Sequence, residues 1–318
     1  MNLDQAVAQL DAAAEPSRLR LLVALLGGET SVGDLVTVLG QSQPRVSRHL
    51  RLLSEAGLVE SFREGRSIFY RWSEDGQDAG VVRSIAAVAA GGDATIGQDT
   101  ARLQKLSRQR ERDALRRALR SGRAGSLHGA SGDSSLRDLL GATLGLALGG
   151  EPRRHPRASW PLGRALVVGC GSGEVLRLLL PEARLAVGTE PSAQRRQLAR
   201  ARLRQAGSAR WTVRAADAGQ LPFATAGFDL VVVQDALATA REPERRAVLG
   251  EAARVLDPAG RLLILDRILP TDNELATRLA ALGLVVTSRQ WLPGRTPDRA
   301  LFLASREAGA RARTGTDD

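Results

Sequence analysis

Residues 41–57 read QSQPRVSRHLRLLSEAG, and the fold of the amino-terminal quarter of the chain turns on them. Ser42 or Gln43 can cap a helix here. Pro44 suits its first turn, where the missing N–H has no helical partner to lose. Val46, Leu50 and Leu53 recur at helical spacing and predict one buried stripe. On that register Arg48 and Arg51 point away from the core, with Pro44 and Arg45 on the same side. Gly57 ends the helix, as a residue tolerant of left-handed backbone should. A helix that buries one stripe and shows a compact arginine face is what a DNA major groove accepts. Taken alone, the same helix also reads as a surface helix with solvated charge.

Its neighbours bear on that choice. Pro16 to Leu26 carries Leu19, Leu22, Val23 and Leu26 at helical spacing, and Gly27-Gly28 stops it. Ser31 caps a short helix from Val32 to Leu39, ended by Gly40. Helix, helix, tight turn, helix is helix-turn-helix spacing. Leu58–Phe62 and Ser67–Trp72 are β-prone runs around Arg63-Glu64-Gly65-Arg66, a hairpin wing whose Arg63 and Arg66 reach toward phosphate.

In AEPSRLRLLVALL, TSVGDLVTVLGQSQPRVSRHLRLLSEAGLVE and REGRSIFYRW the chain resembles the ArsR-type winged-helix repressors. The resemblance implies a homodimer on two operator half-sites of double-stranded DNA. It also implies base-edge and phosphate contacts from Ser42, Gln43, Arg45, Ser47, Arg48, His49 and Arg51. For His49 a half-packed helix position is the alternative. Many members sense metals through cysteines on the helix before the turn; Ser31-Val32-Gly33 stands there instead. The only cysteine is Cys170, and His49, His128 and His155 show no ligand spacing, so no metal site is expected.

Composition sets outer limits. A chain of 318 residues accommodates two cored domains. It has no run long and apolar enough to span a membrane, no visible signal peptide, and one cysteine, all of which fit a cytoplasmic protein. The net charge of +10 does not come from the front of the chain, since residues 1–90 hold nine arginines against eleven acids. Residues 42–71, with six arginines and three glutamates, form a local basic patch on which DNA binding would rest.

After the wing, Ala79–Ala90 reads as an alanine- and valine-rich helix broken by Gly91-Gly92, a plausible dimer element. Asp99–Arg120 reads as a long charged helix, either touching phosphate or a partner subunit, or simply solvated. Ser121–Ser135 reads as a flexible glycine-serine loop, Leu136–Leu148 as an apolar helix and Glu151–Arg157 as a linker.

Ala165–Val168 then runs as a strand into Gly169-Cys170-Gly171-Ser172-Gly173 and a helix from Glu174 to Leu180. Strand, glycine loop and helix open a nucleotide-binding α/β fold, in which glycines let the backbone approach a ligand. Leu185–Thr189 is a second strand ending at Glu190, placed where an acid would bind ribose hydroxyls. Strands Trp211–Ala215, Phe228–Gln234 and Arg261–Asp266 follow, with a helix Pro243–Leu256. Leu284–Ser288 and Ala300–Ser305 close the sheet as an antiparallel pair.

LVVGCGSGEV, VGTEPSAQRRQLARAR, ADAGQLPFATAGFDLVVVQDAL and EAARVLDPAGRLLILD, in that order, resemble the class I S-adenosylmethionine-dependent methyltransferases. The resemblance assigns Gly169, Gly171 and Gly173 to the methionine portion of the cofactor. It assigns Glu190 to the ribose, Asp217 to the adenine amino group with Ala218 beside it, and Gln234 to the cofactor's mouth. Ordinary strand-end acids are the alternative for Glu190 and Asp217, and Cys170 reads as a packing residue. Two departures stand out: Val167 replaces the acid usual two residues before the first glycine, and Asp235-Ala236-Leu237-Ala238-Thr239-Ala240 lacks the histidines or aromatics that shape a reaction site. Asp235 is the only polar candidate for a base, with a packed or solvated acid as its other reading, and no catalytic residue is assigned.

The expected architecture is α/β plus winged helix. It comprises a winged helix-turn-helix domain (1–90), a helical and flexible linker (91–160), a Rossmann-like methyltransferase domain with a seven-stranded sheet (161–307) and a disordered tail (308–318). The expected function is a transcriptional regulator whose second domain senses S-adenosylmethionine or S-adenosylhomocysteine. The alternative is an active small-molecule methyltransferase with a DNA-binding or dimerising front domain.

Overall fold

The computed structural model describes residues 3–73, 80–120, 133–145, 161–206, 208, 210–267, 272–291 and 299–306. They divide into two units, Met1–Ala124 with Gln197–Thr212, and Gly125–Arg196 with Val213–Asp318.

The first unit begins with α1 (Leu3–Ala13) and α2 (Pro16–Leu25). Glu15 caps α2 by accepting from the Arg18 amide at 2.8 Å, a cap that sequence reading did not pick out. β1 (Thr30–Ser31) leads into α3 (Val32–Leu39), where Ser31 Oγ accepts from the Asp34 amide at 3.2 Å and Gly40 closes the helix at φ 65°. α4 (Gln43–Glu55) then presents Val46, Leu50 and Leu53 to the core, each 0 % exposed. Ser42 stands at its N-cap with extended backbone, but its side chain makes no capping bond. Pro44 in the first turn leaves one fewer N–H to satisfy.

β2 (Val59–Glu64) and β3 (Ser67–Trp72) pair antiparallel from Val59↔Trp72 to Glu64↔Ser67, and β1 joins the outer edge of β3. Trp72 Nε1 donates to the Leu22 carbonyl at 3.1 Å, and the Phe62 and Phe69 rings stack at 5.5 Å. The hairpin is thereby bolted to α2. α5 (Gly80–Gly92) and α6 (Ala94–Arg120) follow. Gly91 and Gly92 belong to the end of α5 instead of breaking it, and α6 starts at Ala94, not Asp99. The turn falls at Asp93, whose Oδ1 accepts from the Ile96 amide at 2.9 Å. That side-chain cap starts α6 five residues earlier than expected, and glycine is tolerated at the end of a helix such as α5.

In the second part of the chain α7 (Asp133–Leu144) starts earlier than expected, so Asp133–Ser135 are helical and not loop. The expected loop at 121–132, linker at 151–157 and tail at 308–318 lie outside the described residues. There follow β4 (Arg164–Val168), α8 (Glu174–Leu179), β5 (Leu185–Thr189), α9 (Ala193–Gln205), β6 (Trp211–Arg214) and β7 (Phe228–Gln234). The chain closes with α10 (Glu242–Val255), β8 (Leu256–Arg267), α11 (Asp272–Ala281), β9 (Leu284–Trp291) and β10 (Arg299–Arg306). The seven-stranded sheet runs β6-β5-β4-β7-β8-β10-β9. β5, β7 and β8 run parallel to their neighbours in the set around β4, while β10 is antiparallel to both β8 and β9.

β8 is longer than expected. It absorbs Asp257-Pro258-Ala259-Gly260 through an irregularity opposite β7, between the pairs Phe228↔Leu256 and Leu230↔Arg261. A bulge lets Pro258 sit in a strand without breaking a ladder bond. Leu166, Val168, Val231, Val233, Leu262 and Ile264 are at most 1 % exposed, as central parallel strands covered on both faces require.

Truncating the α4 stripe tests this packing. Leu50→Ala is expected to cost about 2–5 kcal/mol in denaturant unfolding. Leu52→Ala, at a position 37 % exposed, is expected to stay within about 0.5 kcal/mol.

Candidate nucleic-acid interface and candidate ligand site

The outer face of α4 carries Ser42, Gln43, Pro44, Arg45, Arg48 and Arg51, all exposed, with Ser47 half-buried between them. Arg51 pairs with Glu55 one turn on, at 2.9 Å. Arg63 and Arg66 are exposed at the hairpin tip, where Arg63 Nε donates to the Gly65 carbonyl at 3.2 Å. Eight of the nine residues singled out in the sequence therefore stand on one helix face or on the wing.

His49 is placed differently. Its side chain is 13 % exposed, with Nδ1 3.7 Å from Glu15, and neither ring nitrogen has a hydrogen-bond partner among the described residues. Burial pushes its pKa below the ordinary value of 6.5, Glu15 opposes, and Arg18, Arg45 and Arg48 add to the lowering. The net direction is downward, so the fold disfavours the charged imidazole.

The second site is built at the carboxyl ends of β4, β5 and β7. Gly169, Gly171 and Gly173 have φ of 74°, 56° and 84°, a run of left-handed backbone that side chains resist. At Gly169 a Cβ would also lie 2.6 Å from the Gln234 carbonyl oxygen. Glu190 ends β5 with its side chain 4 % exposed. Its carboxylate accepts from the Gly171 amide at 3.1 Å and the Ser192 amide at 2.9 Å. The acid and the glycine loop are therefore tied directly. Arg196 Nη1 donates to the carbonyls of Glu190 and Pro191 at 2.7 and 2.6 Å, fixing the strand end from the first turn of α9.

Asp217 is exposed, its Oδ1 accepting from the Gly219 amide at 2.8 Å, with Ala218 half-buried beside it. Gln234 ends β7, and its Oε1 is buried without a partner among the described residues, as is Thr189 Oγ1 at the end of β5. Asp235 takes φ 49° and pairs with Arg299. Burial raises its pKa, Arg299 pulls it down, Asp266 pushes it up again, and the net direction is upward. Asp266, 1 % exposed, accepts from the amides of Leu237 and Arg267 at 2.6 and 2.7 Å and so holds the segment after β7. Sequence reading gave no role to Thr189, Ser192, Arg196 or Asp266. For Asp266 the one available signal was an acid closing the apolar run LLILD. Cys170, 1 % exposed, packs under Gly188, and Val167 is a fully buried strand residue. Among the described residues no cluster of histidine, cysteine or acids is arranged to hold a metal, and no helix is long and apolar enough to cross a membrane.

Residues 15–61 match the family model described as bacterial regulatory protein, arsR family, and residues 165–260 match a methyltransferase domain model. The chain joins an ArsR-family domain to a methyltransferase domain. The ArsR-family segment is 48 % identical over 62 residues to the biofilm growth-associated repressor of Agrobacterium fabrum, covering 20 % of this chain and 53 % of that protein. It is 42 % identical over 72 residues to the transcriptional activator HlyU of Vibrio cholerae, covering 23 % of this chain and 67 % of that one. The chain spans about half the length of most curated relatives it matches. The structure of the Burkholderia thailandensis 1,6-didemethyltoxoflavin-N1-methyltransferase, with 1,6-didemethyltoxoflavin and S-adenosylhomocysteine bound, is 17 % identical. It covers 64 % of this chain and 90 % of that one at a TM-score of 0.47.

The lowered pKa of His49 gives the ArsR-family domain a pH dependence. A histidine whose folded pKa is depressed contributes stability that is present above its unfolded value and lost as pH falls below it. Thermal unfolding of the full chain is expected to show stability declining as pH drops below about 6.5, with a shallower decline in His49→Gln.

Proposed function

We propose that the chain is a DNA-binding transcriptional regulator whose methyltransferase domain binds S-adenosylmethionine or S-adenosylhomocysteine as a signal. The observation that carries this reading is the coexistence, in one chain, of an outward arginine row on α4 with a buried, loop-tied carboxylate at the end of β5. Ser42, Gln43, Arg45, Ser47, Arg48 and Arg51 read base edges and nearby phosphates, and Arg63 and Arg66 hold the backbone from the wing. His49 serves the domain's packing. The operator-binding form is a homodimer acting in the cytoplasm. In its support, α1 exposes Leu3, Val7 and Leu10 and α5 exposes Val81, Ile85 and Val88, each an apolar row that water disfavours.

Gly169, Gly171 and Gly173 take the methionine portion of the ligand, Glu190 its ribose hydroxyls, Asp217 with Ala218 its adenine, and Gln234 sits at the mouth. The fit rests on this chain's own atoms. Thr189 Oγ1 and Gln234 Oε1 have no partner among the described residues, and a buried oxygen costs about 1–3 kcal/mol while unpaired. They lie at the ends of the strands flanking β4, where open α/β sheets take ligands. S-adenosylmethionine, when bound, supplies an electrophilic methyl group; S-adenosylhomocysteine presents the same adenosyl group without it. Signalling then requires only that the ligand bind the DNA-competent and DNA-incompetent forms unequally.

A second reading, an active methyltransferase, draws on Asp235, whose raised pKa makes it a better base. Its pairing with Arg299 and the apolar Val167 weigh against that role. Formation of S-adenosylhomocysteine from S-adenosylmethionine in a cell extract, lost in Glu190→Gln, would favour it.

The regulator reading is tested by a mobility-shift titration on a duplex selected from a random library. The complex should respond to one of the two ligands, and indifference to both removes the sensor. Glu190→Gln should weaken ligand binding about tenfold or more by calorimetry, the loss expected for a hydrogen bond to charge. Arg48→Ala should weaken the selected duplex more than random DNA. Arg63→Ala should weaken both alike and lower the salt slope by about 1.

A further inference from the structure

Helix α9 carries Arg196, Arg200 and Arg204 at successive four-residue steps, hence on one face. Arg196 grips the carbonyls of Glu190 and Pro191. Within the first unit, Arg200 is 8 % exposed and does three things. Its Nε donates to Glu29 at 2.5 Å, its Nη1 and Nη2 donate to the two Glu64 oxygens at 3.2 and 2.6 Å, and its guanidinium lies 4.1 Å over the Phe69 ring. Glu29 is 0 % exposed and also accepts from Thr212 Oγ1 at 2.5 Å. One turn on, Arg204 donates to Ser107 Oγ at 2.6 Å and to the Glu29 carbonyl at 2.5 Å.

Glu64 and Phe69 belong to the wing: Glu64 stands between Arg63 and Arg66, the cations that face phosphate, and Phe69 lies on β3. One helix therefore begins on the backbone of the acid that closes the ligand site and, one turn later, holds the wing by both a forked ion pair and an aromatic face. Burying such a pair is expensive unless both partners stay in register, and separating them is more expensive still. Drawing Arg200 away from Glu64 would strand a buried charge, so the ion pair favours their moving together.

We propose that Arg200 is a positioning residue that couples ligand occupancy at Glu190 to the pose of the wing, and so to the affinity for DNA. This rests on the reading that an adenosyl ligand binds at Glu190. Binding changes the contacts of Glu190, Arg196 carries that change into α9, and Arg200 resets Glu64 and with it Arg63 and Arg66.

The test uses the full chain, S-adenosylhomocysteine as probe, and a duplex selected from a random library with the unaltered protein. Calorimetry gives the ligand Kd, fluorescence anisotropy gives the DNA Kd with and without saturating ligand, and hydrogen exchange reads the wing amides of residues 59–72. In the unaltered chain ligand should change DNA affinity by about fivefold or more and alter wing exchange. Glu64→Gln should keep the ligand Kd within about twofold, yet shrink the ligand effect on DNA to less than about twofold and abolish the change in wing exchange. Arg200→Lys, which keeps the charge but loses the fork, should behave the same way. A Glu64→Gln chain that retains the full ligand effect overturns the proposal. So does an unaltered chain that binds ligand without any change in DNA affinity, which leaves ligand binding itself intact. Failure of the unaltered chain to bind S-adenosylhomocysteine strikes the ligand-site reading first and the coupling with it.

Discussion

A buried carboxylate cannot be left unsatisfied, and Glu190 is the group around which the second site is organised. At 4 % side-chain exposure it draws the Gly171 amide onto one oxygen and the Ser192 amide onto the other. The first bond sets the curvature of the glycine loop, and the second sets the entry to α9. Because backbone donors do the work, the requirement falls on chain geometry. Gly169 meets it in the most demanding place, since a Cβ there would collide with the carbonyl oxygen of Gln234. Loop, strand end and helix start are consequently one connected object.

Arginine is the cation of this chain almost without exception, and its uses divide cleanly once burial is known. Arg45, Arg48, Arg51, Arg63 and Arg66 are exposed with their charge outward. Arg196 and Arg200 are buried and Arg204 half-buried, spending donors on carbonyls, a serine hydroxyl and two glutamates. Burial alone would lower the pKa of Arg200, but the charges of Glu29 and Glu64 overturn that and hold it above its ordinary value. Its planar five-donor fork is what makes simultaneous contact with Glu29, Glu64 and Phe69 possible. A lysine offers a single point charge and cannot satisfy all three.

The same residue type therefore meets two physical demands, solvated charge for a polyanion and desolvated charge for internal register. Net charge does not separate them. The basic excess of the chain lies outside the first ninety residues, yet the outward row on α4 is local and needs no help from it.

Short-range chemistry made much of the molecule legible in the sequence. The period of Val46, Leu50 and Leu53, the cap at Ser31, the glycines after Val168 and the apolar runs of β4, β7 and β8 all act through neighbours a few residues away. Hence the helix-turn-helix, the wing, the glycine loop and the strands were readable, as were the residues placed at the ends of β5 and β7. Helix boundaries were less so where a side-chain cap such as Asp93 set the start of the next helix. What tertiary structure alone decided is which polar groups lose their water. The turn of His49 toward Glu15, the burial of Glu29 and Arg200, and the buried oxygens of Thr189 and Gln234, unpartnered among the described residues, all depend on segments distant in sequence. Desolvation belongs to the packed arrangement and not to any stretch of chain.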